Sequence, residues 1–99
     1  MIVHISLFYL KNKADTDQMI KALNQVPAQN AAIVSSQVGQ NLFSPPPVPG
    51  LPDFADVAQI IVFDNPKDAA AYADSPAHIA LRTATDHLID HVCAAEFAQ

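Results

Sequence analysis

Apolar residues occur along this chain in short dense runs separated by polar or proline-rich breaks, and the spacing inside each run predicts its structure. Ile2 to Leu10 (IVHISLFYL) is too short for a typical helix and holds no Gly or Pro. Its β-branched, aromatic and aliphatic side chains predict a strand with two largely apolar faces. After a polar turn from Lys11 to Ala14, Asp15 or Thr16 is placed to cap a helix carrying Met19, Ile20, Leu23 and Val26, closed by Pro27. Ala32 to Asn41 alternates imperfectly and predicts a second strand, with Gly39 marking a bulge or a close backbone approach. Asp56 to Phe63 (DVAQIIVF) predicts a third, again apolar on both faces. Asn65 then caps a helix with Pro66 at its first position and Asp68 in its first turn, continued through Ala69 to Ala73. Ser75-Pro76 predicts a restart, and the second segment runs from Pro76 to about Leu88. Val92 to Phe97 (VCAAEF) is the last predicted strand.

The order is β, α, β, β, α, β, which predicts one α+β domain over residues 1–99, a ferredoxin-like βαββαβ sandwich with two helical segments on one face of a four-stranded antiparallel sheet. One sheet face is left bare, although the first and third strands are apolar on both sides. A second copy of the chain is the simplest cover, so a homodimer is expected. Between the second and third strands, Leu42 to Phe54 holds five of the eight prolines and forms a stiff connection. Its Leu42, Phe43, Val48, Leu51 and Phe54 predict a loop that packs over something, either as a lid or as a dimer contact.

Composition narrows the partners. The chain of 99 residues is 51% hydrophobic and 15% charged with a formal charge of −5, a globular profile with too few Lys and Arg to drive nucleic-acid or anionic-membrane binding. The N-terminus lacks a signal-peptide pattern and no apolar run approaches membrane-spanning length, so a cytoplasmic protein is expected. Cys93, the single cysteine, excludes an intrachain disulfide and is expected to behave as a small buried hydrophobe.

Alternation in the first strand puts His4, Ser6 and Phe8 on one face and Val3, Ile5, Leu7 and Tyr9 on the other. The second set is the more apolar and is expected under the helices, which leaves His4 on the face between subunits, either as a satisfied core histidine or as a pocket residue. Tyr72 and His78 flank the kink at Asp74-Ser75-Pro76, where an imidazole base and a phenol donor would suit enolisation beside a carbonyl; packing is the plainer role for both. His87 and His91 lie four apart, but the helical segment is expected to end near Leu88, which argues for a solvated helix end and no metal site. Gly39 and Gly50 are the only glycines, so no nucleotide-binding loop is present.

His4 on the apolar first strand, Val38-Gly39-Gln40-Asn41 ending the second, Phe63-Asp64 ending the third, and Ala71 to His78 (AYADSPAH) together resemble the stress-responsive dimeric α/β barrel (Dabb) domain nearly end to end. The tyrosine followed by Ser75-Pro76-Ala77-His78 is similar to the family's His-Pro-x-His segment, with Ser75 in place of the first histidine. The resemblance implies two protomers forming a dimeric α/β barrel without a cofactor. It also implies a pocket in which His78 and Tyr72 match the working histidine and tyrosine of a plant polyketide cyclase of the family, and His4 a pocket histidine. The resulting expectation is a small, partly apolar carbonyl or phenolic ligand touched by Ser6 and Phe8, with cyclase-like or isomerase-like proton transfer by His78, Tyr72 and His4. The alternative is a non-catalytic stress-protection or assembly protein whose barrel is a packed interface. Related dimeric barrels that oxidise quinols or bind haem define a third class, for which no residue pattern here selects.

Overall fold

The computed structural model describes residues 1–51 and 53–99; Pro52 of the proline-rich loop lies outside the described residues. Four strands form, β1 (Ile2–Leu10), β2 (Ile33–Gln40), β3 (Val57–Phe63) and β4 (Ile89–Ala98), with helices α1 (Thr16–Asn24), α2 (Pro66–Tyr72) and α3 (Pro76–Thr85) between them. The strands pair antiparallel in the order β2-β3-β1-β4, the ferredoxin-like arrangement expected from the element order.

Local chemistry explains the helix starts. Asn65 Oδ1 accepts from the Asp68 amide at 2.9 Å, and Ser75 Oγ accepts from the His78 amide at 3.2 Å, each with a proline at the next position. For α1 the expected cap is displaced. Asp15 makes no side-chain cap bond, and the capping oxygen belongs to Asn12, which accepts from the Ala14 amide at 2.9 Å and starts a 3₁₀ turn over Lys13–Asp15. Pro27 likewise opens a 3₁₀ turn rather than closing α1 directly, because the helix has already ended at Asn24. The irregularity of β2 falls at Val34, between the Ile33–Phe63 and Ser35–Val62 pairs, and not at Gly39, which pairs with Ala58 in register. Open space lies beside Gly39, so it is no close-approach site within the protomer.

The core lies between the helices and one sheet face. Met19, Leu23 and Val26 from the first helical region pack with Phe8 and Leu10 of β1, Val57, Ile61 and Phe63 of β3, and Ala69, Tyr72, Ala77 and Leu81 of α2 and α3. This reverses the face expected for β1. The even-numbered set with His4, Ser6 and Phe8 lies under the helices, and Val3, Ile5, Leu7 and Tyr9 occupy the open face. The more apolar set points away from the helices because the helix side must also line a polar cavity. On the open face, Ile5 is flanked in register by Ile60 and Ala95, and Leu7 by Ala58 and Cys93. Cys93 is therefore exposed in the protomer and not a core hydrophobe.

The described apolar residues of the proline-rich segment do not pack down on the rest of the chain. Leu42, Phe43, Val48 and Leu51 are all more than half exposed, and Phe43 and Phe54 instead pack edge to face at 5.2 Å. Its base is pinned by Asn41, whose Nδ2 donates to the carbonyls of Phe43 and Ala55. Beside it, Asp56 ties three strands together. Its amide donates to the Phe8 carbonyl at 2.9 Å and its carbonyl accepts from the Asn41 amide at 2.9 Å, while its carboxylate accepts from the Leu10 amide at 2.8 Å and from Lys13 Nζ at 2.9 Å.

Burial alone would push the Asp56 carboxyl up, but the Leu10 amide and the Lys13 ammonium together outweigh it and hold the group below its usual value of 3.8. A depressed carboxylate stabilises the fold above its unfolded value, and that stability is lost as pH falls through the folded one. Asp56→Ala is therefore expected to cost about 1–3 kcal/mol near neutrality through the stranded Leu10 amide. Urea melts of the two proteins should draw together below about pH 4; a gap that widens on acidification would reject this account.

Candidate functional site

The helices cover β2, β3 and β1 but leave the inner face of β4 bare, and every residue of that strand beyond Ile89 is exposed. A cavity of about 510 Å³ opens there, between the inner faces of β1 and β4 and the flank of α2 and α3. Phe8, Leu81, Ile89, Val92 and Ala94 supply apolar wall. The polar lining comes from His4, Ser6, Gln59, Tyr72, His78 and Thr85, with Arg82 and Asp86 paired at 3.3 Å across an exposed turn of α3 at the mouth.

All five residues singled out from the sequence, His4, Ser6, Phe8, Tyr72 and His78, line this one cavity. It belongs to the helix-covered side of the sheet and not to the open face, where His4 was expected. The described residues of the proline-rich loop take no part in it; they border a separate depression of about 540 Å³ with Lys13, Thr16 and Asp56, so the loop is no lid on the cavity here. His87 and His91 stay outside. The helix ends at Thr85, and His91 lies on β4, stacked on Tyr9 at 4.0 Å and bonded to Asp90 at 3.0 Å. Among the described residues, no group of three or more His, Cys, Asp or Glu is placed to hold a metal ion.

Tyr72 sits at the end of α2, its ring edge to face with His78 at 5.0 Å and with His4 at 6.4 Å. Its hydroxyl is buried and has no hydrogen-bond partner. Burial pushes the phenol from 10.0 up to about 12, so it remains a neutral donor across the physiological range. The sign for stability follows: the contribution is present below pH 10 and is lost as pH rises toward 12. Ser75 shapes the kink beside it, donating to the Tyr72 carbonyl at 2.6 Å while capping α3. These two hydrogen bonds fix the break between α2 and α3 at Ser75.

His78 Nδ1 lies 2.9 Å from the Ala73 carbonyl. A carbonyl only accepts, so the proton is on Nδ1, and Nε2 of the neutral ring is the basic nitrogen. His4 is held from both sides, by Glu96 Oε2 at 3.1 Å on Nδ1 and Ser6 Oγ at 3.1 Å on Nε2. Gln59, directly across from Ser6 in the β1–β3 pair, is buried with Nε2 unpartnered. Two buried donors on the edge of an open cavity are unusual in a finished fold, where such groups are almost always paired. They mark positions that a ligand oxygen can satisfy.

Glu96 and Gln59 are the site residues that reasoning from sequence missed. Each carries a visible signal: Glu96 is the only glutamate in the chain, set in an apolar strand, and Gln59 interrupts the run Val57 to Phe63.

The sequence profile described as the stress responsive A/B barrel domain matches residues 2–99. The chain belongs to the Dabb family. Its fold is shared with solved structures. A dimeric ferredoxin-like protein of unknown function from Thermobifida fusca has 26% identity and a TM-score of 0.75, covering 99% of this chain and 90% of that one. A dimeric protein of unknown function with a ferredoxin-like fold, from Bacteroides fragilis, has 24% identity and a TM-score of 0.75, covering 97% and 93%. A Dabb family protein from Mesorhizobium loti has 12% identity and a TM-score of 0.75, covering 99% and 95%. A comparison with curated proteins finds no match. Among the described residues, no helix of this Dabb protein is long and apolar enough to cross a membrane.

Proposed function

We propose that this Dabb protein is a homodimer that binds a small, partly apolar carbonyl or phenolic molecule in each protomer and moves a proton on it without a cofactor. The observation that carries the reading is the Tyr72 hydroxyl, buried, neutral and unpartnered on the wall of an open cavity. It is a donor waiting for an oxygen. His78 Nε2 is the base beside it, and His4 assists from the cavity floor. Phe8, Leu81 and Val92 receive the apolar part of the ligand. The open cavity favours this reading over a barrel made only as a packed interface, and the dimeric neighbours support the second copy.

Titration with 4-hexylphenol and 2-nonanone, followed by the NMR signals of His78 and Tyr72, tests the reading. Tyr72→Phe is expected to weaken binding about 5–10-fold, the worth of one hydrogen bond, while stabilising the free protein by about 1 kcal/mol because a buried unpaired hydroxyl is removed. The variant is also expected to lack the stability loss between pH 10 and about 12. No binding of either probe, or binding that Tyr72→Phe leaves unchanged, would take the phenol out of the site.

A further inference from the structure

Glu96, His4 and Ser6 stand in a row across β4 and β1, and the strand register puts them there. His4 lies directly opposite Glu96, and Ser6 follows two positions along the same face. The row is joined by His4 Nδ1 to Glu96 Oε2 at 3.1 Å and His4 Nε2 to Ser6 Oγ at 3.1 Å. A carboxylate only accepts, so the proton of the neutral ring sits on Nδ1, and Nε2 accepts from the Ser6 hydroxyl. Acid, imidazole and hydroxyl in this order are the arrangement that makes a serine nucleophilic. Ser6 also lines the cavity, as do Gln59 and Tyr72, whose buried donors have no partner. Gln59 is the cross-strand neighbour of Ser6, so one of those donors comes from the residue paired with it.

We infer that Ser6 is a nucleophile toward esters or thioesters with a partly apolar acyl chain, an activity that does not use His78 but shares the cavity, His4 and Tyr72 with the proton transfer proposed above. Ser6 Oγ attacks the carbonyl carbon and gives its proton to His4 Nε2 as the new C–O bond forms. The carbonyl oxygen takes the negative charge and is met by the Gln59 and Tyr72 donors. The bond to the leaving alcohol or thiol breaks, and that group takes the proton from His4. Water then attacks the acyl-serine, gives a proton to His4, and releases the acid as Ser6 recovers its hydrogen. Glu96 is a positioning residue, holding His4 in the tautomer whose Nε2 is free to act.

Incubating the full chain with a decyl fluorophosphonate, which transfers its phosphonyl group to an activated serine with loss of fluoride, tests the assignment. Intact-mass measurement is expected to show one adduct per chain, and peptide mapping to place it on Ser6. Ser6→Ala is expected to abolish the adduct with an unchanged circular-dichroism melt, and Glu96→Gln to slow labelling at least tenfold and move its pH–rate profile. No adduct, or an adduct on any other residue, would overturn the assignment. Mapping of the unaltered chain decides the site even if Ser6→Ala fails to fold. A negative result together with 4-hexylphenol binding would remove the nucleophile and leave the binding reading standing.

Discussion

Ile60→Glu is expected to leave the protein monomeric. Ile60 lies near the middle of the open sheet face, between Ile5 and Gln37 in the register of β1, β3 and β2. Around it that face carries Val3, Leu7, Tyr9, Val62 and Phe97, a patch as apolar as many cores, with Leu7 36% and Phe97 47% exposed in the protomer. Covering about 800 Å² of such surface per partner is ordinary for a stable dimer. A glutamate at the centre must either lose its hydration or keep the sheets apart, a penalty of several kcal/mol. At about 1.4 kcal/mol per tenfold, a penalty of about 5 kcal/mol raises the dissociation constant by about three to four orders of magnitude. Sedimentation equilibrium reads the change directly, with circular dichroism to show that the protomer stays folded. Lys21→Glu, on the exposed side of α1, is the control that keeps the dimer. An Ile60→Glu protein that is still a dimer at low micromolar concentration would mean that the sheet face is not the interface.

The same face shows what the sequence could and could not say. Element order, the Asn65 and Ser75 caps and the restart at Pro76 were legible because each depends on a few neighbouring residues. The bare face was legible too, since β1 and β3 hold more apolar surface than two helical segments can cover. Which side of β1 faces the helices was not. Ranking Val3, Ile5, Leu7 and Tyr9 above His4, Ser6 and Phe8 by apolarity inverts the answer, because a cavity makes the inner face the more polar one. His4 thus moves from the open face to the floor of a pocket on the helix-covered side of the sheet. Gathering His4, Tyr72 and His78 into that pocket rested on the family resemblance. Glu96 escaped notice because its meaning lies in pairing opposite His4, 92 residues away in sequence.

His78→Gln is expected to cut catalysed hydrogen exchange at the carbons beside the carbonyl of 2-nonanone by about 10²–10⁴-fold, the usual worth of a positioned general base. The exchange, run in D₂O and followed by NMR, asks only for proton removal and return, so the natural substrate need not be known. His78 is placed for this by its backbone. Ser75 fixes the kink, Ala73 presents its carbonyl at the break between α2 and α3, and the hydrogen bond at 2.9 Å leaves Nε2 as the basic atom. Glutamine can still donate to that carbonyl but offers no base, so the kink and the cavity survive while the chemistry stops. Tyr72→Phe removes the donor that steadies the enolate oxygen and is expected to lower exchange about 10²–10³-fold by the separate route of lost electrostatic stabilisation. The two losses distinguish the roles, because only Tyr72→Phe also weakens binding of the ketone. Exchange that persists in His78→Gln would pass the proton to His4, the other imidazole on the cavity, whose Nε2 is already engaged by Ser6 at 3.1 Å. In that case Ser6→Ala, which frees that nitrogen, would raise the rate.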